Sequence, residues 1–119
     1  MELTIYTEDF FDSAHFLENY EGKCSRLHGH TWKVSVWVKG DDANRDKSGI
    51  LWDFGNIKEI TESLDHKVLN EVLNESPSAE YLALYIYKEL KLRNSNLKFK
   101  VRLYEKIYPK EAYCETGDF

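Results

Sequence analysis

Apolar and polar residues alternate with a period of two in three stretches of this chain, and apolar residues recur at helical spacing in two others. The clearest alternation runs from His30 to Lys39, with His30, Trp32, Val34, Val36 and Val38 on one side and Thr31, Lys33, Ser35, Trp37 and Lys39 on the other. That is a strand with one face turned to a core. Nearer the N-terminus, LTIYTEDFFDSAHF is rich in β-branched and aromatic residues and predicts a strand, kinked or bulged at Phe10-Phe11, that ends at His15. Towards the C-terminus, KFKVRLYEKIYPKEAYCET predicts a hairpin. Phe99, Val101, Leu103, Glu105 and Ile107 share one face of its first strand, and Lys98, Lys100, Arg102, Tyr104 and Lys106 share the other.

Between these strands lie two helical patterns. Asp53 is placed to cap a helix whose apolar positions are Phe54, Ile57, Thr61 and Leu64. Ser76 as N-cap and Pro77 as first helical residue predict a second, with Leu82, Tyr85, Ile86 and Leu90 as its buried stripe. LDHKVLNEVLNE between them ends the first helix or begins a loop, and Leu17 to Arg26, polar and aperiodic, predicts a loop. The order is ββααββ, which favours an α+β fold: a four-stranded antiparallel sheet with two helices on one face.

Composition narrows the classes. At 119 residues, with no repeat or linker, residues 1–119 are expected to form a single domain. The net charge of −5 offers no broad basic footprint, so nucleic acid is excluded as the expected partner. MELTIYTEDF lacks a basic and apolar leader, and no apolar run approaches a membrane span, so the protein is expected to be cytoplasmic. There, Cys24 and Cys114 are expected to be thiols, with Cys114 buried and inert. Three Trp, eight Tyr and six Phe, together with long sheet edges, favour an oligomer.

Chemistry concentrates in KCSRLHGHTW. If the second strand reaches back to His28, His28 and His30 point the same way, roughly 6.6 Å apart. A zinc ion between them can take a third nitrogen from His15. The bland alternative is a turn around Gly29 with His15 hydrogen-bonded to backbone. Cys24 has three readings: a fourth ligand closing a structural His3Cys site, an inert thiol, or a thiolate acting as base or nucleophile. His66 follows Asp65, whose carboxylate can fix the imidazole tautomer for proton transfer; a helix cap or surface pair explains the same dipeptide. Glu105, a carboxylate on an apolar strand face, either faces a pocket where a planar N–H pair satisfies it, pairs with Lys or Arg, or marks where the strand leaves the core.

FDSAHFL, KCSRLHGHTW, GILWDFGNIK, LDHKVLN, SPSAEYLA and VRLYEK, in this order, resemble the zinc-dependent 6-pyruvoyltetrahydropterin synthases and bacterial 6-carboxytetrahydropterin synthases. The resemblance implies the tunnelling fold, assembled into barrel trimers that pair as hexamers, with active sites between subunits. It implies zinc on His15, His28 and His30, Cys24 as proton acceptor, Asp65 and His66 as relay, and Glu105 as pterin anchor and relay member. The spacing C-x-x-x-H-G-H resembles the carboxy-forming branch, which supplies 7-deazaguanine and queuosine synthesis. That branch implies a lyase acting on 7,8-dihydroneopterin triphosphate without a redox cofactor. Lys23 and Arg26, flanking Cys24, are candidate cations for the triphosphate. Ser78 stands where threonine is usual in the family, and Tyr81 follows Glu80 as a further departure.

Overall fold

A computed structural model describes residues 1–119. Four strands form one antiparallel sheet in the order β1 (Glu2–His15), β2 (His28–Asp41), β3 (Lys98–Lys106), β4 (Ala112–Gly117). Two helices, α1 (Asn56–Leu64) and α2 (Ala79–Arg93), join the halves of the chain. The expected α+β order therefore stands.

The apolar face of the sheet carries Phe11, Trp32, Val34, Val36, Val38, Phe99, Val101 and Leu103, which form one core with Ile57, Ile60 and Leu64 of α1 and Leu82, Ala83, Ile86 and Leu90 of α2. Burial of that shared apolar area holds helices to sheet. The opposite face is a lattice of rings and cations. Lys100 and Arg102 lie over Trp37, Arg102 also over Tyr113, and Lys33 over Tyr104.

Four local expectations are corrected. No bulge occurs at Phe10-Phe11, because β1 pairs with β2 without interruption from Glu2↔Asp41 to His15↔His28. The irregularity lies in β3 instead: Tyr104 faces Tyr113 and Lys106 faces Ala112, leaving Glu105 as the extra residue. The cap of α1 is Gly55 rather than Asp53, whose side chain accepts the Gly55 N–H in the preceding turn; Phe54 stays half-exposed and Ile60 is buried. The cap of α2 is Ser78 rather than Ser76, its hydroxyl accepting the Tyr81 N–H. Tyr85 is only partly buried, and Ala83 completes the α2 stripe.

Candidate metal centre and active site

The uninterrupted register brings three histidines together. His15 ends β1 directly opposite His28, and His30 lies two residues further along β2 on the same face. Their ring centroids are 4.6 to 5.1 Å apart, above Trp32, which is fully buried and meets His15 and His30 edge-on. One donor atom from each histidine lies within 4.8 Å of the others.

Backbone carbonyls set the tautomers. His15 Nδ1 lies 2.7 Å from the Pro77 carbonyl oxygen and His28 Nδ1 lies 2.7 Å from that of Arg26. A carbonyl only accepts, so each Nδ1 carries the proton and each Nε2 is left with a bare lone pair. His15 Nε2 and His28 Nε2 then face one another at 3.0 Å, and His30 Nε2 is buried without a hydrogen-bond partner. Facing lone pairs repel, and a buried unpaired nitrogen is costly. A cation among the three nitrogens relieves both, so the residues fit a metal ion, and three imidazoles are a donor set suited to zinc and related ions. Burial pushes His15 and His30 below the ordinary histidine range despite the nearby Glu105 carboxylate, which keeps them neutral as ligands must be.

Glu105 closes this side of the site. Displaced by the bulge, its carboxylate stands 4.0 Å from His15 Nε2 and 3.9 Å from His30 Nε2, and no Lys or Arg pairs with it. Two clefts meet there. One, of about 430 Å³, is lined by Gly29, His30, Thr31, Glu105, Lys106, Ile107 and Tyr108. The other, of about 320 Å³, is lined by Ala79, Glu80, Glu105, Ala112, Tyr113 and Cys114. Of the expectations for Glu105, the pocket is the one its surroundings match.

The family described as 6-pyruvoyl tetrahydropterin synthase matches residues 4–115. The chain belongs to the 6-pyruvoyl tetrahydropterin synthase family. A 6-carboxy-5,6,7,8-tetrahydropterin synthase from Synechocystis is 38% identical over 94 residues, covering 72% of this chain and 73% of that protein. A relative from Pyrococcus abyssi is 47% identical over 66 residues, 55% of this chain; the match spans 40% of the relative's length. The solved 6-pyruvoyl tetrahydropterin synthase of Caenorhabditis elegans superposes with a TM-score of 0.77 at 24% identity, over 100% of this chain and 97% of the other, and so shares the fold.

In this family member the remaining expected site residues do not all meet the histidines. Cys24 sits in a short 3-10 turn, Lys23–Ser25, half-buried, and its sulfur is not among the gathered donor atoms. Lys23 and Arg26 are exposed and line neither cleft at Glu105. Asp65 and His66 pair at 2.8 Å on the outer edge of β1, where the His66 side chain is 82% exposed. No hydrogen bond or ion pair joins His66 to the three histidines. Cys114 is half-buried, and burial, with Glu80 and Glu115, raises its thiol pKa, as an unreactive thiol requires.

The sequence alone did not reveal what holds these groups in place. Asp65 Oδ1 accepts the Asp12 N–H at 2.8 Å, while the His66 N–H donates to the Asp12 carbonyl at 2.7 Å. Ser13 Oγ donates to the Leu64 carbonyl and accepts from the Lys67 N–H. Asn70 bonds the Phe16 backbone in both directions, at 3.0 and 2.9 Å. The segment after α1 is thus tied to β1 at the residues flanking His15. Its one legible signal is the recurrence of polar residues in LDHKVLN with no helical period.

Proposed function

We propose that this protein is a zinc-dependent lyase that converts 7,8-dihydroneopterin triphosphate and one water to 6-carboxy-5,6,7,8-tetrahydropterin, acetaldehyde and triphosphate, in 7-deazaguanine and queuosine biosynthesis. The observation that carries the reading is the convergence of the bare His15 and His28 Nε2 atoms with the buried, partnerless His30 Nε2, beside a glutamate that no Lys or Arg pairs, with Cys24 outside the donor set. A staple would enclose its ion with a fourth protein ligand; an enzyme leaves a position for substrate. The Synechocystis relative's name supports the carboxy-forming branch.

In this reading His15, His28 and His30 hold zinc, which supplies Lewis acidity to the substrate's side-chain hydroxyls and makes the adjacent C–H protons more acidic. Cys24, as thiolate, accepts a proton from that side chain. His66 supplies or relays a proton from the nitrogen left free when Asp65 holds Nδ1. Glu105 anchors the pterin by accepting its adjacent N–H groups in a bidentate pair. No redox cofactor is needed, since the dihydropterin ring takes up the electrons its side chain gives up.

Exposed His66 supports active sites between subunits. The outer edge of β1 from Glu2 to Phe10 and the outer edge of β4 have no strand partner, so pairing the two edges between copies closes a ring, as a trimer or a pair of trimers. The cytoplasm is the compartment such a substrate implies. No helix is long and apolar enough to cross a membrane.

The family's own description favours a second reading, a pyruvoyl-forming enzyme that eliminates triphosphate and keeps the whole side chain. Product analysis separates the readings. The zinc-loaded protein and its Cys24→Ala variant are incubated with 7,8-dihydroneopterin triphosphate, and products are identified by mass. Acetaldehyde with 6-carboxytetrahydropterin, lost in the variant, is the expected result. A pyruvoyl product selects the second reading, and no turnover by wild type overturns both.

A further inference from the structure

The pterin reading leaves the triphosphate without a counter-charge, on a chain of net charge −5. The cations flanking Cys24 were the sequence's candidates, but neither Lys23 nor Arg26 lines a cleft at Glu105. A different lysine does. Lys106 ends β3, one residue past the bulge, and lines the 430 Å³ cleft with His30, Thr31 and Glu105. Its ammonium forms no salt bridge, whereas Lys33, Lys39, Lys58 and Lys91 each have a carboxylate partner.

The two clefts differ in a way that orients an elongated ligand. The one on the α2 side offers Ala79, Ala112, the Tyr113 ring and the Cys114 thiol, with the acidic Glu80, a wall suited to a flat heterocycle and unsuited to phosphate. The other offers the lysine beside the metal ligands. Glu105 belongs to both and stands where they meet. A substrate held at Glu105 by its ring edge, with its side chain over the three histidines, therefore sends its far end towards Lys106.

On that basis, and resting on the pterin triphosphate reading, we propose that Lys106 is the residue that receives the substrate's polyphosphate group, at the Thr31 side of His30. The bulge is what makes this placement possible. In a regular strand Glu105 and Lys106 would point to opposite faces of the sheet; the extra residue brings both to the rim of one cleft.

The test is calorimetric binding of inorganic triphosphate to the zinc-loaded protein, for wild type and the Lys106→Met, Lys106→Arg and Lys23→Met variants. Loss of one charge-assisted contact is expected to weaken binding about tenfold in Lys106→Met, with Lys106→Arg recovering most of it and Lys23→Met close to wild type. Binding of 7,8-dihydroneopterin, which lacks the phosphates, is expected to be the same in all four proteins. With the triphosphorylated substrate, the Lys106→Met loss falls on KM more than on kcat. Equal triphosphate affinity in wild type and Lys106→Met, a larger loss in Lys23→Met, or no binding by wild type overturns the proposal. Failure of the pterin reading is a separate result: wild type binds triphosphate through Lys106 yet does not turn over 7,8-dihydroneopterin triphosphate.

Discussion

Asp65 divides its two oxygens between two tasks. Oδ1 accepts the Asp12 N–H and Oδ2 faces His66 Nδ1, so one carboxylate both pins the turn to β1 and sets the imidazole tautomer. His66 itself is in the left-handed region, at φ 54°, held there by its own N–H bond to the Asp12 carbonyl. Asp65→Asn separates the tasks: an amide oxygen still accepts from Asp12, but the amide nitrogen cannot accept from His66. The expected outcome is a melting temperature near that of wild type with kcat lower by on the order of 100-fold. A large loss of stability with little loss of kcat would make Asp65 a clamp and nothing more. The pH dependence has a definite sign. The Asp12 N–H first, and the His66 bond next, hold the Asp65 carboxyl below its usual 3.8. Its ionised form is therefore present above that range and is lost only as pH falls through the still lower folded value, so an acid limb of activity above about pH 4 belongs to another group. The pairing within the dipeptide was legible because the two residues are adjacent. The clamp was not, since Asp12 is 53 residues away.

At the level of elements, the alternation patterns located all four strands and both helices, while ends and irregularities were set by contacts that no short window contains. Ser76-Pro77 has the form of a helix start, yet the chain turns two residues later, at Ser78. The Pro77 carbonyl instead accepts from His15 Nδ1, so a residue that fits the first turn of a helix by its own geometry serves to orient the His15 ring. The same displacement decides where Tyr81 points. Glu80 lines the cleft at Glu105, whereas Tyr81 lines a groove with Val72, Leu73, Leu84 and Lys88, so the family departure at position 81 falls away from the site. The cap assignment is testable by urea denaturation. Ser78→Ala is expected to cost about 1 kcal/mol through loss of the bond to the Tyr81 N–H, and Ser76→Ala is expected to cost less than half of that. The reverse order would restore Ser76 as the cap. In β3 the odd residue was visible as a carboxylate out of pattern, but the bulge that explains it depends on pairing with β4 and on no feature of VRLYEK itself.

The whole molecule separates two sets of groups that the proposed reaction must bring together. Three histidines and Glu105 converge at one end of the sheet interior to the strand edge, while His66 stands 82% exposed on that edge, beyond the strand that carries His15. His66 so placed is out of reach of its own chain's cluster by any hydrogen bond the fold makes, and well placed for a neighbour that docks along β1. If the assembly supplies the missing partner, Cys24 and His66 of one active site come from different chains, and two inactive variants must complement each other. Cys24→Ala and His66→Ala, each expected to be inactive alone, are denatured, mixed in equal amounts and refolded together. With independent assortment about one quarter of sites receive an intact Cys24 from one chain and an intact His66 from the next. Recovery of activity on that scale, with mixed oligomers confirmed by native mass spectrometry, places the relay across the subunit boundary. Mixed oligomers without activity would put both groups in the same chain and require the Lys23–Ser25 turn and the Asp65-His66 turn to approach each other, a movement that the five backbone and side-chain ties between residues 12–14 and 64–67 oppose. A monomer in native mass spectrometry would remove the boundary altogether.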